Sequence, residues 1–141
     1  MKIAIDCEFN GFGGQLISMA LVAENGDEWY QVLTMNGIAI DPWVKEHVVP
    51  VLWDEDSFQM PMERKDFRES LHSWLKQYEN PTIIADWHSD LVHFFRELAG
   101  ENHMQSLSYP CKAELLDLDA SSNIPHNALE DARGIMRAIT K

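Results

Sequence analysis

Apolar and polar positions divide the chain into an antiparallel opening and an alternating helix–strand remainder. Lys2 to Phe9 and Gln15 to Ala23 are apolar runs of strand length. Asn25-Gly26 is a two-residue hairpin signal, and Glu28 to Leu33, with Trp29, Tyr30 and Val32, completes the hairpin. Asp41-Pro42 reads as an N-cap followed by proline in the first turn, starting a short helix toward Val49. The stretch from Trp53 to Pro61, with acidic Asp54-Glu55-Asp56, predicts a loop. From Glu63 to Tyr78, the side chains of Phe67, Leu71, Trp74, Leu75 and Tyr78 share one helical face. Thr82 to Ala85 is a short apolar run of the central-parallel-strand kind, and Ser89 to Ala99 is an amphipathic helix stopped by Gly100. Ala113 to Leu118 predicts a further strand and Asn127 to Ile139 a C-terminal helix. A hairpin followed by alternating helices and strands predicts an α/β fold, a central mixed sheet flanked by helices.

Composition narrows the class. A chain of 141 residues, 45% hydrophobic, suits one domain over 1–141 with its own core. No apolar stretch approaches the length of a membrane span, and Asp6 arrives before a signal-peptide core could form, so no membrane partner and a cytoplasmic location are expected. Cys7 and Cys111 lie far apart with no CxxC, which suggests neither a disulfide framework nor a zinc site. The net charge of −12 argues against tight binding to long polyanions, since affinity for phosphate comes largely from Lys and Arg. It fits either a solvated acidic surface or carboxylates that hold metal ions, although two divalent ions would offset only four of the twelve charges.

Several acids stand where a core-facing element should be apolar. Asp6 and Glu8 close the first strand at i and i+2, so they point to the same side, roughly 7 Å apart at Cα, and repel unless something positive lies between them. Asp131 falls within the apolar stripe of the C-terminal helix, among Ala128, Ala132 and Ile135, while Glu130, Arg133 and Arg137 form an outer, solvated face. Burying a carboxylate there is costly unless it is paired or metal-bound, but an acid in a first helical turn is also favoured by the dipole. Asp90 repeats the pattern near the start of the preceding helix, with Asp86 at the strand end as its rival; either can serve as a simple cap. Asp90 falls on the helix face turned toward the sheet and is the expected site residue, with Asp86 supporting it or lining the cleft. His126 precedes Asp131 by five residues, about 500° of helical rotation, so the two share a face only if His126 stands outside the helix. Pro125 and the preceding loop put it there. The histidines at 47, 72, 88, 93 and 103 show no ligand spacing and are expected to be ordinary surface residues.

Asp6-x-Glu8, an Asp after an apolar strand (Asp90), and "HNALEDA" as His-x4-Asp together resemble, in order and spacing, the DEDDh exonucleases of the ribonuclease H-like superfamily. "DCEF…GGQLISMALVAENGDEWYQV" is particularly similar to their compact single-domain 3′–5′ exoribonucleases of bacteria and phages. The resemblance covers nearly the whole chain, loosely from Thr34 to Pro61. Cys7 replaces a common Thr or Leu, and Asp86 stands where many relatives have Asn.

The resemblance implies a ribonuclease H-like fold, with antiparallel β1-β2-β3 and then parallel strands. It also implies two Mg²⁺ or Mn²⁺ ions held by Asp6, Glu8, Asp90 and Asp131, with His126 as general base. The implied activity is release of nucleoside 5′-monophosphates from the 3′ end of single-stranded RNA or short oligonucleotides. Phe9, Asn10 and Gly11 would meet the terminal nucleotide, although Phe9 shares a strand face with Ile5 and Cys7 and reads equally well as core. The Arg64-Lys65-Arg68 cluster reads as a solvated helix face rather than an RNA track. Preference for RNA over single-stranded DNA, and a homodimer, rest on the resemblance alone. The alternatives are an exodeoxyribonuclease or endonuclease on the same fold, or a non-catalytic nucleic-acid-binding module.

Overall fold

The computed structural model of the chain describes residues 1–53, 58–100 and 108–141. The acidic loop expected at 54–56 and His103 lie outside the described residues. Five strands, β1 (Lys2–Phe9), β2 (Leu16–Ala23), β3 (Glu28–Val32), β4 (Thr82–Ala85) and β5 (Lys112–Leu115), form one sheet in the order β3-β2-β1-β4-β5. β1 pairs antiparallel with β2, and β2 with β3; β1 and β4, and β4 and β5, run parallel. The fold is α/β, a mixed sheet flanked by helices.

The helices are α1 (Pro42–His47), followed by a 3-10 turn at Val49–Val51, then α2 (Arg64–Leu75), α3 (His88–Ala99) and α4 (Ala128–Ile139). On one face of the sheet, Ala4, Ala20 and Ile84 meet Ala128, Ala132 and Ile135 of α4, with Val44 and Val48 at the margin. On the other, Ile3, Ile5 and Ile83 meet Phe67 and Leu71 of α2 and Phe94 of α3. Phe67 and Phe94 are fully buried, and truncating either to alanine should cost about 3–5 kcal/mol. All eight residues of β2 are buried, as a strand covered on both faces requires. β5 is exposed along its length, a short edge strand carrying Lys112 and Glu114.

Four local expectations are corrected. Asn25-Gly26 is not a two-residue turn: β2 and β3 pair only as far as Val22 and Glu28, and of the two residues only Gly26 has positive φ (+95°). A type I′ turn needs both; the bonds from Gly26 N–H to the Ala23 carbonyl and from Ala23 N–H to the Asp27 carbonyl instead close a three-residue loop, a type I turn followed by a left-handed glycine. The last strand ends at Leu115, not Leu118. Arg64 and Arg68 are half-buried rather than solvated, because both reach the buried Glu97 of α3. Glu130 is buried too, covered by Arg133, which pairs with it and with Glu28 of β3, while Arg137 of the same outer face is exposed as expected.

Two connections and the helices that follow them converge at the C-terminal end of β1. The β4-to-α3 turn brings Asp86 and the first turn of α3 brings Asp90, while the loop before α4 brings His126 and α4 itself brings Asp131.

Candidate functional site

Strand alternation separates the residues of β1. Ile3, Ile5 and Cys7 belong to the α2/α3 side, so Asp6 and Glu8 turn toward α4. There they meet Asp131: one carboxylate oxygen from each of Asp6, Glu8 and Asp131 lies within 4.8 Å of the others. A second set, Asp6, Asp86 and Asp90, converges equally closely. Asp6 is common to both. The rivalry between Asp86 and Asp90 thus dissolves, since the structure brings both to Asp6.

Each acid is held by its own element. Asp90, 1% exposed, lies in the first turn of α3 and accepts a 3.2 Å hydrogen bond from the Cys7 backbone N–H, which ties α3 to the end of β1. Asn127 caps α4, its side chain accepting from the Glu130 N–H and donating to the Val51 carbonyl. His126, just before that cap, has φ of +71°, uncommon for a residue with a Cβ. This turn directs its N–H to Asp131 Oδ2 at 3.1 Å and keeps the imidazole outside the helix. The ring stands edge-on to Trp43, centroids 5.1 Å apart, and Trp43 in turn stacks on His47 at 4.6 Å.

The electrostatics are one-sided. Burial, then Asp90, Glu8, Asp131 and Asp86, holds the Asp6 carboxyl well above the ordinary carboxylate range. Burial and the neighbouring Asp131 and Asp90 push Glu8 up to about 9. Burial and Asp86 push Asp90 up to about 8 despite the Cys7 N–H. Asp86 and Asp131 are also raised, mainly by burial. Oδ2 of Asp6 and Oδ2 of Asp90 are buried without a hydrogen-bond partner. Asp6, Asp86, Asp131 and His126 line a cleft of about 290 Å³, and its described lining contains no Lys or Arg. Orphaned buried oxygens in an all-oxygen donor set suit Mg²⁺ or Mn²⁺, which take carboxylates in preference to softer ligands.

The three residues expected to meet a nucleotide have structural duties. Phe9 follows a β-bulge, packs against the α2/α3 core and faces the His93 ring at 5.1 Å, on the opposite side of the sheet from Asp6. The Asn10 amide is engaged with Asp41 N–H and the Ala39 carbonyl, bracing the loop against the start of α1. Gly11 sits in that loop at φ +75°, and the loop is closed by Gly14 N–H bonding to the Gly11 carbonyl.

One of the remaining histidines is not a surface residue: His93 is buried against Phe9. His47 is exposed as expected, but it stacks on Trp43 behind His126. Trp43 and His47 were legible as an i, i+4 pair on one helix, but nothing local linked them to His126. Asn127 and Gly134 were also missed. A Cβ on Gly134 would come within 2.3 Å of the Ser121 carbonyl oxygen, so its absence lets the loop carrying His126 lie on α4. Comparison with known proteins adds no identity: no family model matches the chain, and no curated protein matches it.

Proposed function

We propose that the chain is a divalent-metal-dependent 3′–5′ exonuclease of the ribonuclease H-like, DEDDh type, acting on single-stranded RNA or short oligonucleotides. The observation that carries this reading is the convergence of Asp6, Glu8, Asp90 and Asp131 from three separate segments around orphaned oxygens, with His126 bonded to the last of them. The antiparallel β1-β2-β3 followed by parallel β4 and β5 is compatible with it.

Asp6, Glu8 and Asp131 would hold one ion, and Asp6 with Asp90 a second. When bound, such ions supply the positive charge that activates a water and stabilises a leaving 3′ oxygen. The chain's own part is positioning. The cleft offers a phosphate no described Lys or Arg, so without cations it would repel the substrate. His126 accepts the proton of the attacking water, held in place by its N–H to Asp131 and by the Trp43 ring. Single-stranded ends fit a small acidic cleft better than a duplex, whose affinity needs many phosphate contacts.

Incubating 5′-labelled single-stranded RNA and DNA of equal sequence with Mn²⁺ or with chelator tests the reading. It expects a metal-dependent ladder shortened one nucleotide at a time, with RNA the faster substrate. Internal fragments would indicate an endonuclease, faster DNA digestion an exodeoxyribonuclease, and intact strands a binding module.

A further inference from the structure

We infer that Asp86 is a ligand of the second divalent ion, so that this site is built from three carboxylates and fills before any nucleic acid arrives. The inference rests on the metal-dependent reading above and extends it to a fifth acid. Without Asp86, the second grouping would consist of Asp6, shared with the first, and Asp90, one of whose oxygens is taken by the Cys7 N–H. A hard cation with only those two protein ligands would depend on water and on a substrate phosphate to complete its shell. Asp86 changes this, because it brings a third oxygen within 4.8 Å of the other two.

Two observations independent of the clustering point to a ligand there. Asp90 is 1% exposed, and its Oδ2 is buried with no partner. Asp6 Oδ2 is orphaned in the same way. An uncharged buried oxygen would normally find a hydrogen bond, and a charged one a counter-charge. Asp86, half-buried at the end of β4, also lines the cleft and so lies on the solvent path by which an ion would enter. Five carboxylates exceed the charge of two divalent ions by one. The loaded cleft would therefore attract a phosphate through its ions locally, not through net charge.

The test counts Mn²⁺ bound per chain in the absence of nucleic acid, by calorimetry and by the electron-spin signal of the free ion, for wild type, Asp86→Asn and Asp131→Asn. Wild type should bind two ions. Asp86→Asn should lose the second by at least about 10–100-fold in affinity, the range attached even to outer partners of a ligand, and keep the first. Asp131→Asn should lose the first and retain binding at the Asp86 site. Thermal unfolding of apo Asp86→Asn should give a stability no lower than wild type, since a repelling charge is gone; this excludes misfolding as the cause. Two ions bound equally well by Asp86→Asn, or a single wild-type ion untouched by that change, would overturn the inference while leaving metal dependence standing. No ion bound by wild type would instead remove the reading beneath it, and the inference with it.

Discussion

Asp90 and Glu97 lie on the same helix, seven residues apart, and both are 1% exposed. Their surroundings differ. Glu97 is clamped by Arg64 and by Arg68 Nε at 2.8 Å, an ion-paired group joining α2 to α3. Asp90 faces Asp6 and Asp86, and among the described residues its carboxyl accepts only the Cys7 backbone N–H. A fold able to neutralise one buried carboxylate with two guanidinium groups has left five others together, with no Lys or Arg lining the adjoining cleft among the described residues. Burial of an acid is therefore not the sign of a site. Burial without a counter-charge, repeated on three elements around shared space, is.

Neutralising one acid in each region should give opposite results. Asp6→Asn removes the carboxylate common to both groupings, and turnover should fall by about 10³-fold or more, while the metal-free protein becomes more stable. Glu97→Gln should leave metal dependence unchanged and destabilise the fold by about 1–3 kcal/mol, less than for a fully buried pair because both arginines keep some solvent. Chemical denaturation and single-turnover digestion of the two variants read both halves. A Glu97 variant that lost metal dependence, or an Asp6 variant with wild-type turnover, would break the contrast.

His126→Ala sharpens it within the site. Turnover should drop by about 10²–10⁴-fold with Mn²⁺ affinity nearly unchanged, and residual activity should climb with pH as hydroxide replaces the lost base. Wild-type turnover at neutral pH would reduce His126 to a structural residue. Gly134→Ala is the smallest expected effect. The added methyl meets the Ser121 carbonyl, so the loop before α4 must shift, which should cost about 1–2 kcal/mol and slow digestion several-fold. A variant matching wild type in both melting temperature and rate would show that the loop's seat on α4 does not matter.

Most of this architecture was legible locally. The pattern marks β1 and β4 at their observed bounds, and α3 and α4 to within one residue, because period and caps signal such elements strongly. Asp6, Glu8 and Asp131 were conspicuous because a carboxylate broke an otherwise apolar face. What failed depended on partners from elsewhere in the chain. Glu130 and Arg133 look solvated on a helical wheel until Glu28 of β3 is brought over them. Arg64 and Arg68 look like a surface patch until α3 presents Glu97. Helix face favours Asp90 over Asp86 in the sequence, but a linear pattern cannot show that a strand end and a helix start both come within 4.8 Å of Asp6. The hairpin failed for a different reason: Asn-Gly suits more than one turn, and the register decides which.

Thermal unfolding of the wild-type protein between pH 5 and 9, in chelator and in Mg²⁺, tests most directly the claim that the acid cluster waits for cations. The folded carboxyls titrate above their unfolded values, Asp90 at about 8 and Glu8 at about 9. In that window the folded chain therefore holds more protons than the unfolded one, and stability must fall as pH rises. In chelator the melting temperature should decline steadily from pH 5 to 9. Saturating Mg²⁺ should remove most of that decline, adding about 2.7 kcal/mol for each ion whose concentration is a hundred times its dissociation constant. A melting temperature that rises with pH in chelator, or that Mg²⁺ leaves unchanged at pH 8 to 9, would contradict the account.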